Sequence, residues 1–259
     1  MNSAVIIGSG NVAEAFARTL PAHGIEVRQI FARNGVRAAE LAAMADCEPC
    51  CDPASIAAAD IYIVAVSDSA IESVLAPLSL PAEAIVAHTA GSRPIDAIPD
   101  RFSRRAVLYP LQTFTAGREV DFAHIPFFIE ASSDDLAGAM KAFALQLSDT
   151  VFEADFEQRS QIHLAGVFVC NFSNHMYAVG HDIMQAAGMP FSTLAPLIVE
   201  TARKAIESGD PASVQTGPAV RNDYRTRMRH LEMLADKALL KSIYSMISQN
   251  IWEKISRKK

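Results

Sequence analysis

The chain has 259 residues, 50% of them apolar and 20% charged, and its 23 basic and 29 acidic side chains give a formal charge of −6. Half apolar residues are too many for a disordered chain. The acidic balance excludes the basic surface that nucleic-acid-binding proteins and polybasic membrane anchors use. The length suits one large domain or two ordinary ones, and either would bury a core.

Neither a targeting signal nor a membrane span is predicted. No basic residues precede the first apolar run, which Gly8 and Gly10 interrupt, and no stretch approaches the roughly 18 consecutive apolar residues of a transmembrane helix. With four cysteines and no secretory signal, we expect reduced thiols in a cytoplasmic protein. The pair Cys47 and Cys50 lacks the further ligands that zinc needs, and we expect no metal site.

Strand and helix patterns alternate along the first half of the chain. Short apolar runs predict strands at 4–7, 26–32, 61–66, 84–87, 106–109 and 126–129, with a weak strand at 48–51. Helical spacing predicts helices at 11–20 and 37–45, and a short helix opens at Asp52-Pro53. This alternation indicates an α/β domain with a mostly parallel sheet.

The pattern changes near residue 155. Segments 156–185, 193–207 and 224–255 predict long helices, separated by glycine and proline breakers. We therefore predict a dinucleotide-binding domain at 1–154 and an all-helical domain at 155–259, which serves substrate binding and dimerisation.

A glycine motif follows the first predicted strand directly. Residues 8–13 read Gly-Ser-Gly-Asn-Val-Ala. Gly8 permits a tight turn, Gly10 lets the backbone approach a pyrophosphate, and Ala13 permits close packing of helix on strand. The helix N-terminus attracts the phosphates. The motif predicts a Rossmann-type dinucleotide site, the alternative being such a turn that has lost its nucleotide.

The end of the second strand bears on which cofactor binds. Enzymes that use NAD usually place an acid there to accept from the ribose hydroxyls. Here the strand ends in Phe31-Ala32-Arg33-Asn34, without an acid. The planar guanidinium of Arg33 suits a 2′-phosphate, which favours NADP. The alternative is a solvated arginine at the start of the next helix.

Polar residues follow three further strands, where a parallel sheet binds its ligands. They lie in the loops at 67–69, 88–92 and 110–115. Asp68 has an alternative role as a helix N-cap, and His88 as a structural histidine. Tyr109-Pro110 has the alternative role of simply ending a strand.

Six segments in order carry a family resemblance: GSGNVA, VAVSDSAI, HTAGS, YPLQTF, QRSQIHLAGVFVCNF and TGPAVRND. Together they resemble a family of predicted NADP-dependent oxidoreductases that join a Rossmann domain to a C-terminal helical domain of unknown function. The chain is more distantly similar to pyrroline-5-carboxylate reductase, ketopantoate reductase and the 3-hydroxyacid dehydrogenases. The resemblance covers essentially the whole chain and leaves the substrate open.

The resemblance implies roles for individual residues. It puts Arg33 near the adenosine ribose, Ser67 and His88 beside the nicotinamide, and His163 and Asn171 on the helix that closes the cleft. The residues that it puts on the pyrophosphate are Gly8, Ser9, Gly10, Asn11 and Val12. The hydroxyacid dehydrogenases place a catalytic lysine on the closing helix, but this chain has no lysine between Lys141 and Lys204. That mechanism cannot be transferred.

The predicted helix at 156–185 carries a polar stripe on a largely apolar sequence. At about 100° per residue, His163, Cys170, Asn174 and His181 lie within roughly 20° of one line, and Asn171 lies about 80° to one side. The stripe faces either the cleft or water. Histidine donates protons near neutral pH, so His163 is the first catalytic candidate and His88 the second, with Asn171 as a further site residue.

These patterns favour an NADP-dependent oxidoreductase that transfers a hydride between nicotinamide and a small keto or imino compound. The alternative is an NADP-binding sensor or partner protein without hydride transfer. The apolar C-terminal helices form a thin domain, which predicts a homodimer.

Overall fold

The computed structural model describes residues 1–256. By compactness the chain forms two units, Met1–His175 and Met176–Lys259. Within the described residues the last strand ends at Glu153 and every later element is helical, as the sequence predicts. The division by compactness falls further along, because the helical residues 156–175 are grouped with the sheet.

The first unit is built on an eight-stranded sheet. Its strands are β1 (Ser3–Ile7), β2 (Glu26–Phe31), β3 (Glu48–Cys50), β4 (Ile61–Val64), β5 (Ile85–His88), β6 (Arg104–Pro110), β7 (Phe127–Ala131) and β8 (Val151–Glu153). The spatial order is β3-β2-β1-β4-β5-β6-β7-β8. All neighbours are parallel except β6 and β7, which are antiparallel. The predicted mostly parallel sheet is therefore confirmed.

The strand order reverses at β1. From β1 the chain proceeds outward to β2 and β3, then returns to β4 on the other side of β1. Connections therefore leave the carboxyl ends of β1 and β4 in opposite directions, which opens a crevice between them. This crevice is where a doubly wound sheet binds its ligand.

Helices cover both faces of the sheet. They are α1 (Asn11–Ala22), α2 (Gly35–Ala45), α3 (Ile71–Leu75) and α4 (Asp134–Ala144). Side chains of β1 alternate between two apolar clusters: Ala4 and Ile6 pack into the one that includes α1, α2 and α4, and Val5 and Ile7 into the one that includes α3. Because both faces are covered, β1 is completely buried, which explains its uninterrupted apolar sequence.

The remaining described elements are helical. They are α5 (Phe156–Gly166), a π-helical segment (Val167–Phe172), α6 (Ser173–Ala186), α7 (Ala195–Ser208), α8 (Tyr224–Met233) and α9 (Ala238–Ser256). The prediction of one helix over 224–255 is wrong, because α8 ends at Met233 and α9 begins at Ala238. No helix in the described part of the chain has the length and apolar composition that a bilayer-spanning segment requires.

Candidate functional site

An open groove of about 1250 Å³ runs along the carboxyl ends of β2, β1, β4 and β6, over the crevice where the strand order reverses. Its wall includes α5 and the π-helical segment. The site residues predicted from the sequence that line it are Gly8, Ser9, Gly10, Asn11, Val12, Arg33, Ser67, His163 and Asn171. His88 is not part of the wall.

The glycine turn has the geometry of a phosphate cradle. Gly8 has a φ of +128°, and a Cβ there would overlap the carbonyl oxygen of Ala65. Gly10 stands at the N-cap of α1, where no side chain caps the helix, and no heavy atom lies within 4 Å of the position of a Cβ. The first N–H groups of α1 therefore keep their hydrogen-bonding capacity, with open space above them. This arrangement fits a pyrophosphate.

Arg33 lies two residues beyond the end of β2 and lines the same groove as the glycine turn. Its side chain is exposed in the wall of the groove. Asn34 caps α2 by accepting from the N–H of Arg37, so the next helix is capped without Arg33. The Arg33 guanidinium is thus accessible to an anion in the groove.

Behind the glycine turn, Glu14 joins three parts of the structure. This buried carboxylate accepts hydrogen bonds from Arg18, from Arg37 of α2 and from the N–H of Gly117 at 2.8 Å. Burial pushes the pKa of Glu14 up, but these hydrogen bonds outweigh burial and leave its pKa below the ordinary value. In the same region Asn11 donates to the carbonyl of Phe114 at 2.9 Å. The 111–117 loop is thereby tied to α1 beside the phosphate cradle.

Ser67 follows β4 and faces the groove. It occupies the N-cap position of a short 3-10 helix, Asp68–Ala70, but its side chain makes no capping bond and is exposed. Asp68, for which the sequence left an N-cap role open, instead accepts a hydrogen bond from Ser92. The hydroxyl of Ser67 is therefore free to meet a ligand beyond β4.

His88 is a core residue in this structure. Its side chain is completely buried at the end of β5. Nδ1 lies 3.2 Å from the N–H of Ala90 and Nε2 lies 3.1 Å from the carbonyl of Pro94. The first nitrogen must accept and the second donate, which requires the neutral ring. Burial, with the nearby positive charge of Arg159, lowers the pKa of His88 to about 4. Both ring nitrogens serve the backbone, which matches the structural alternative left open by the sequence.

His163 lines the groove and contacts a tyrosine from the sheet. Its Nδ1 is 3.2 Å from Oη of Tyr109, which stands near the end of β6. The two rings meet edge to face, with centroids 6.1 Å apart. The sequence predicts that Tyr109 lies at the edge of the sheet that binds ligands. Its contact with His163 could not be predicted, because the two residues are 54 positions apart and no local pattern links them. A phenol and an imidazole in contact form a pair that can store and pass a proton.

The π-helical segment changes which polar residues share a face with His163. An i→i+5 turn contains one extra residue and so sets the following residues back by about 100°. Asn171, about 80° from His163 on a regular helix, is thereby turned towards the face of His163. Both residues line the groove together with Cys170, whereas Asn174 does not. The stripe predicted for a regular helix is therefore interrupted after Cys170.

Two family models match the chain. The model described as NADP oxidoreductase, coenzyme F420-dependent, matches residues 3–91. A domain of unknown function (DUF2520) matches residues 125–251. No curated protein matched in sequence. The first match contains the glycine turn, Arg33 and Ser67, and the second contains His163 and Asn171.

Solved structures extend the comparison over the full length. A protein of Bacteroides fragilis assigned as an NADP oxidoreductase is 41% identical, with a TM-score of 0.90 over 97% of this chain and 98% of that one. Two others share only the fold. A reductive aminase from Aspergillus terreus, solved with NADPH and ethyl-5-oxohexanoate, is 16% identical, with a TM-score of 0.65 over 99% and 93% of the two chains. An imine reductase from Myxococcus stipitatus, solved with NADP+, is 12% identical, with a TM-score of 0.65 over 98% and 94%.

These comparisons confirm the predicted fold and the NADP cofactor class. The family models match the two parts of the chain in the order that the sequence predicts. Since the Bacteroides fragilis protein is 41% identical over almost the whole of both chains, the chain belongs to the family of NADP oxidoreductases that join an N-terminal dinucleotide-binding region to a C-terminal domain of unknown function.

Proposed function

We propose that this protein is an NADPH-dependent reductase that acts on a small keto or imino compound. The observation that carries the proposal is the continuity of the groove. It runs from the free cation of Arg33, over the uncapped N-terminus of α1, to the Tyr109–His163 pair. An anion site, a phosphate cradle and a proton source thus follow one another along a single sheet edge.

The cofactor, when bound, would supply a hydride to an unsaturated carbon of the substrate. Arg33 would hold the 2′-phosphate through a charged hydrogen bond, and Gly10 with the first N–H groups of α1 would hold the pyrophosphate. The Tyr109–His163 pair would supply the proton that the oxygen or nitrogen of the substrate takes up, while Asn171 would bind the substrate from the same groove wall. Ser67 would contact the nicotinamide end.

A panel of substrates tests this proposal. The two enzymes that share the fold suggest the probes, namely a cyclic imine and ethyl-5-oxohexanoate with and without an amine. NADPH oxidation by at least one probe is expected. Tight NADPH binding without oxidation of any keto or imino probe would favour the non-catalytic sensor. Failure to bind NADPH would contradict both.

Two pairs of variants assign the roles. His163→Gln should keep the NADPH affinity and slow turnover by about 10²–10⁴, the usual contribution of general acid catalysis. The control is the exposed His124→Gln, which should leave turnover unchanged. Asn171→Ala should mainly raise KM, and Asn174→Ala, on the same helix but outside the groove wall, should not. Equal effects within either pair would remove the groove residue from the mechanism.

We propose in addition that the protein is a homodimer. The helical unit exposes large apolar side chains in several elements, including Leu197 and Ile206 of α7, Met233 of α8, and Leu239 and Met246 of α9. Exposed apolar surface of this kind marks an interface, and a second copy with two-fold symmetry is the simplest occupant. Light scattering at tens of micromolar should give twice the chain mass. Ile206→Glu should reduce that mass, and Val36→Glu, an equally exposed apolar site on α2, should not.

We propose that the protein is cytoplasmic. The four cysteines, which all lie in the described part of the chain, are free, and a reducing compartment keeps thiols in this state. Fractionation of cells that express the protein from its own gene tests this placement. Recovery in an extracellular or periplasmic fraction would contradict it.

A further inference from the structure

Tyr109 projects from the sheet into the groove beside His163. It is half-buried near the carboxyl end of β6, and both residues line the groove. The contact between Oη and Nδ1 is the one hydrogen bond that the described structure gives this phenol. A hydroxyl donates one proton and accepts others. When Nδ1–H of His163 donates to Oη, the hydroxyl proton of Tyr109 has no acceptor among the described residues. This proton is then available to a ligand in the groove.

The phenol ring is held in place by its surroundings. A Cβ at Gly91 would lie 2.6 Å from Cζ of Tyr109, closer than packed atoms approach. The ring of Phe128 lies 6.3 Å away on another side. The absence of a side chain at position 91 thus creates the space that the phenol occupies. The φ of Gly91 is not positive, so its backbone conformation does not itself require a glycine. The glycine is needed because a side chain would occupy the space of the phenol ring.

The environment keeps the phenol protonated. Burial raises the pKa of Tyr109, and the negative charge of Asp68 raises it further. A phenolate there would be costly, so a proton that leaves Oη must be replaced at once. His163, half-buried on the helix side of the groove, is in contact with Oη and is the group that can replace it.

We propose, on the basis of the proposed reductase function, that Tyr109 delivers the proton to the substrate and that His163 replaces it. The O–H bond of Tyr109 breaks as the substrate oxygen or nitrogen takes its proton. The Nδ1–H bond of His163 breaks as that proton moves to Oη, while Nε2 takes a proton from solvent, which leaves a neutral tyrosine and a neutral imidazole. Together with the hydride from NADPH, the substrate gains two electrons and two hydrogens. Exchange with solvent then moves the imidazole proton from Nε2 back to Nδ1.

The tautomer of His163 tests the direction of this relay without a substrate. Long-range ¹⁵N–¹H correlation spectra at neutral pH should show the proton of His163 on Nδ1 in the wild type. Tyr109→Phe removes the acceptor and should shift the proton towards Nε2. Tyr62→Phe is the matched control, since it removes the hydroxyl of another buried tyrosine outside the groove. An unprotonated Nδ1 in the wild type would overturn the relay, because Tyr109 would then donate to His163.

Kinetics with NADPH and the cyclic imine probe provide the second readout. Tyr109→Phe should keep NADPH affinity and lower turnover by about 10²–10⁴. Gly91→Ala should also lower turnover, because its Cβ displaces the ring while the phenol stays in the chain. Wild-type turnover in Tyr109→Phe would overturn the relay and leave the reductase function intact. If no probe is reduced, the reductase function fails, and the tautomer alone decides the direction of the Tyr109–His163 bond.

Discussion

Replacing Arg33 by alanine should convert a preference for NADPH into indifference between the two nicotinamide cofactors. The side chain lies exposed in the groove wall, and α2 is capped by Asn34 rather than by Arg33. Arg37, four residues further along the chain, is already bound to Glu14 and Glu40. Arg37 is therefore not free to replace Arg33.

The size of the effect follows from the exposure of Arg33. A hydrogen bond to a charged group contributes about 1.5–3 kcal/mol, and solvent screening favours the lower end for an exposed side chain. A loss of about 1.5 kcal/mol corresponds to roughly a tenfold weaker complex. NADPH affinity should therefore fall about tenfold in Arg33→Ala, while NADH affinity stays within about twofold of the wild type.

Calorimetric titration of both cofactors into the wild type and the variants measures this difference. Arg28→Ala is the matched control, since Arg28 lies on β2, which precedes Arg33, and bonds to Glu26 and the carbonyl of Ala58. It should bind both cofactors as the wild type does. Equal losses of NADPH and NADH affinity in Arg33→Ala, or equal wild-type affinities for the two, would refute the assignment of Arg33 to the 2′-phosphate.

Three further predictions concern the scaffold of the site. Gly8→Ala should destabilise the fold by about 2–4 kcal/mol, because its Cβ overlaps the Ala65 carbonyl at a positive φ, whereas Gly10→Ala should keep the wild-type melting temperature and weaken NADPH binding. Glu14→Gln should lower the free energy of unfolding in urea by about 1–3 kcal/mol, because it leaves Arg37 incompletely paired. The exposed Glu40→Gln should lower it by less than about 1 kcal/mol. The pKa of His88 is about 4 in the folded chain against an ordinary 6.5. The contribution of His88 to the free energy of unfolding is therefore fully present above about pH 6.5, and it declines by up to about 3 kcal/mol as the pH falls towards 4. His88→Asn should reduce this acid sensitivity in urea unfolding and His124→Asn should not.

The fold was largely predictable because its local signals agree. The short apolar runs, the glycine turn and the breakers predicted seven of the eight strands in position. β8 was not predicted, since its three residues carry no alternation that the sequence reveals. The helix α4 was also missed. The antiparallel direction of β7 depends on which neighbour it meets rather than on its own residues.

The lining of the candidate groove could be predicted from the sequence more fully around the glycine turn than around His163. The glycine turn and Arg33 are contiguous in sequence with the elements that position them, so local sequence was sufficient to place them in the groove wall. The Tyr109–His163 contact joins residues 54 positions apart, and the phase of Asn171 depends on a π-helical segment that a regular helical period does not predict. His88 had a polar identity typical of a site, but only its two backbone partners reveal that it belongs to the core.

A crystal structure of the protein with NADP+ would test the central claim most directly. We expect the 2′-phosphate in contact with Arg33, the pyrophosphate at Gly10 above the N-terminus of α1, and the nicotinamide ring at the end of the groove that Tyr109 and His163 line. The reacting carbon should then lie where a substrate reaches Tyr109 directly or through one water. A nicotinamide ring outside the groove, or one turned away from the Tyr109–His163 pair, would contradict the account.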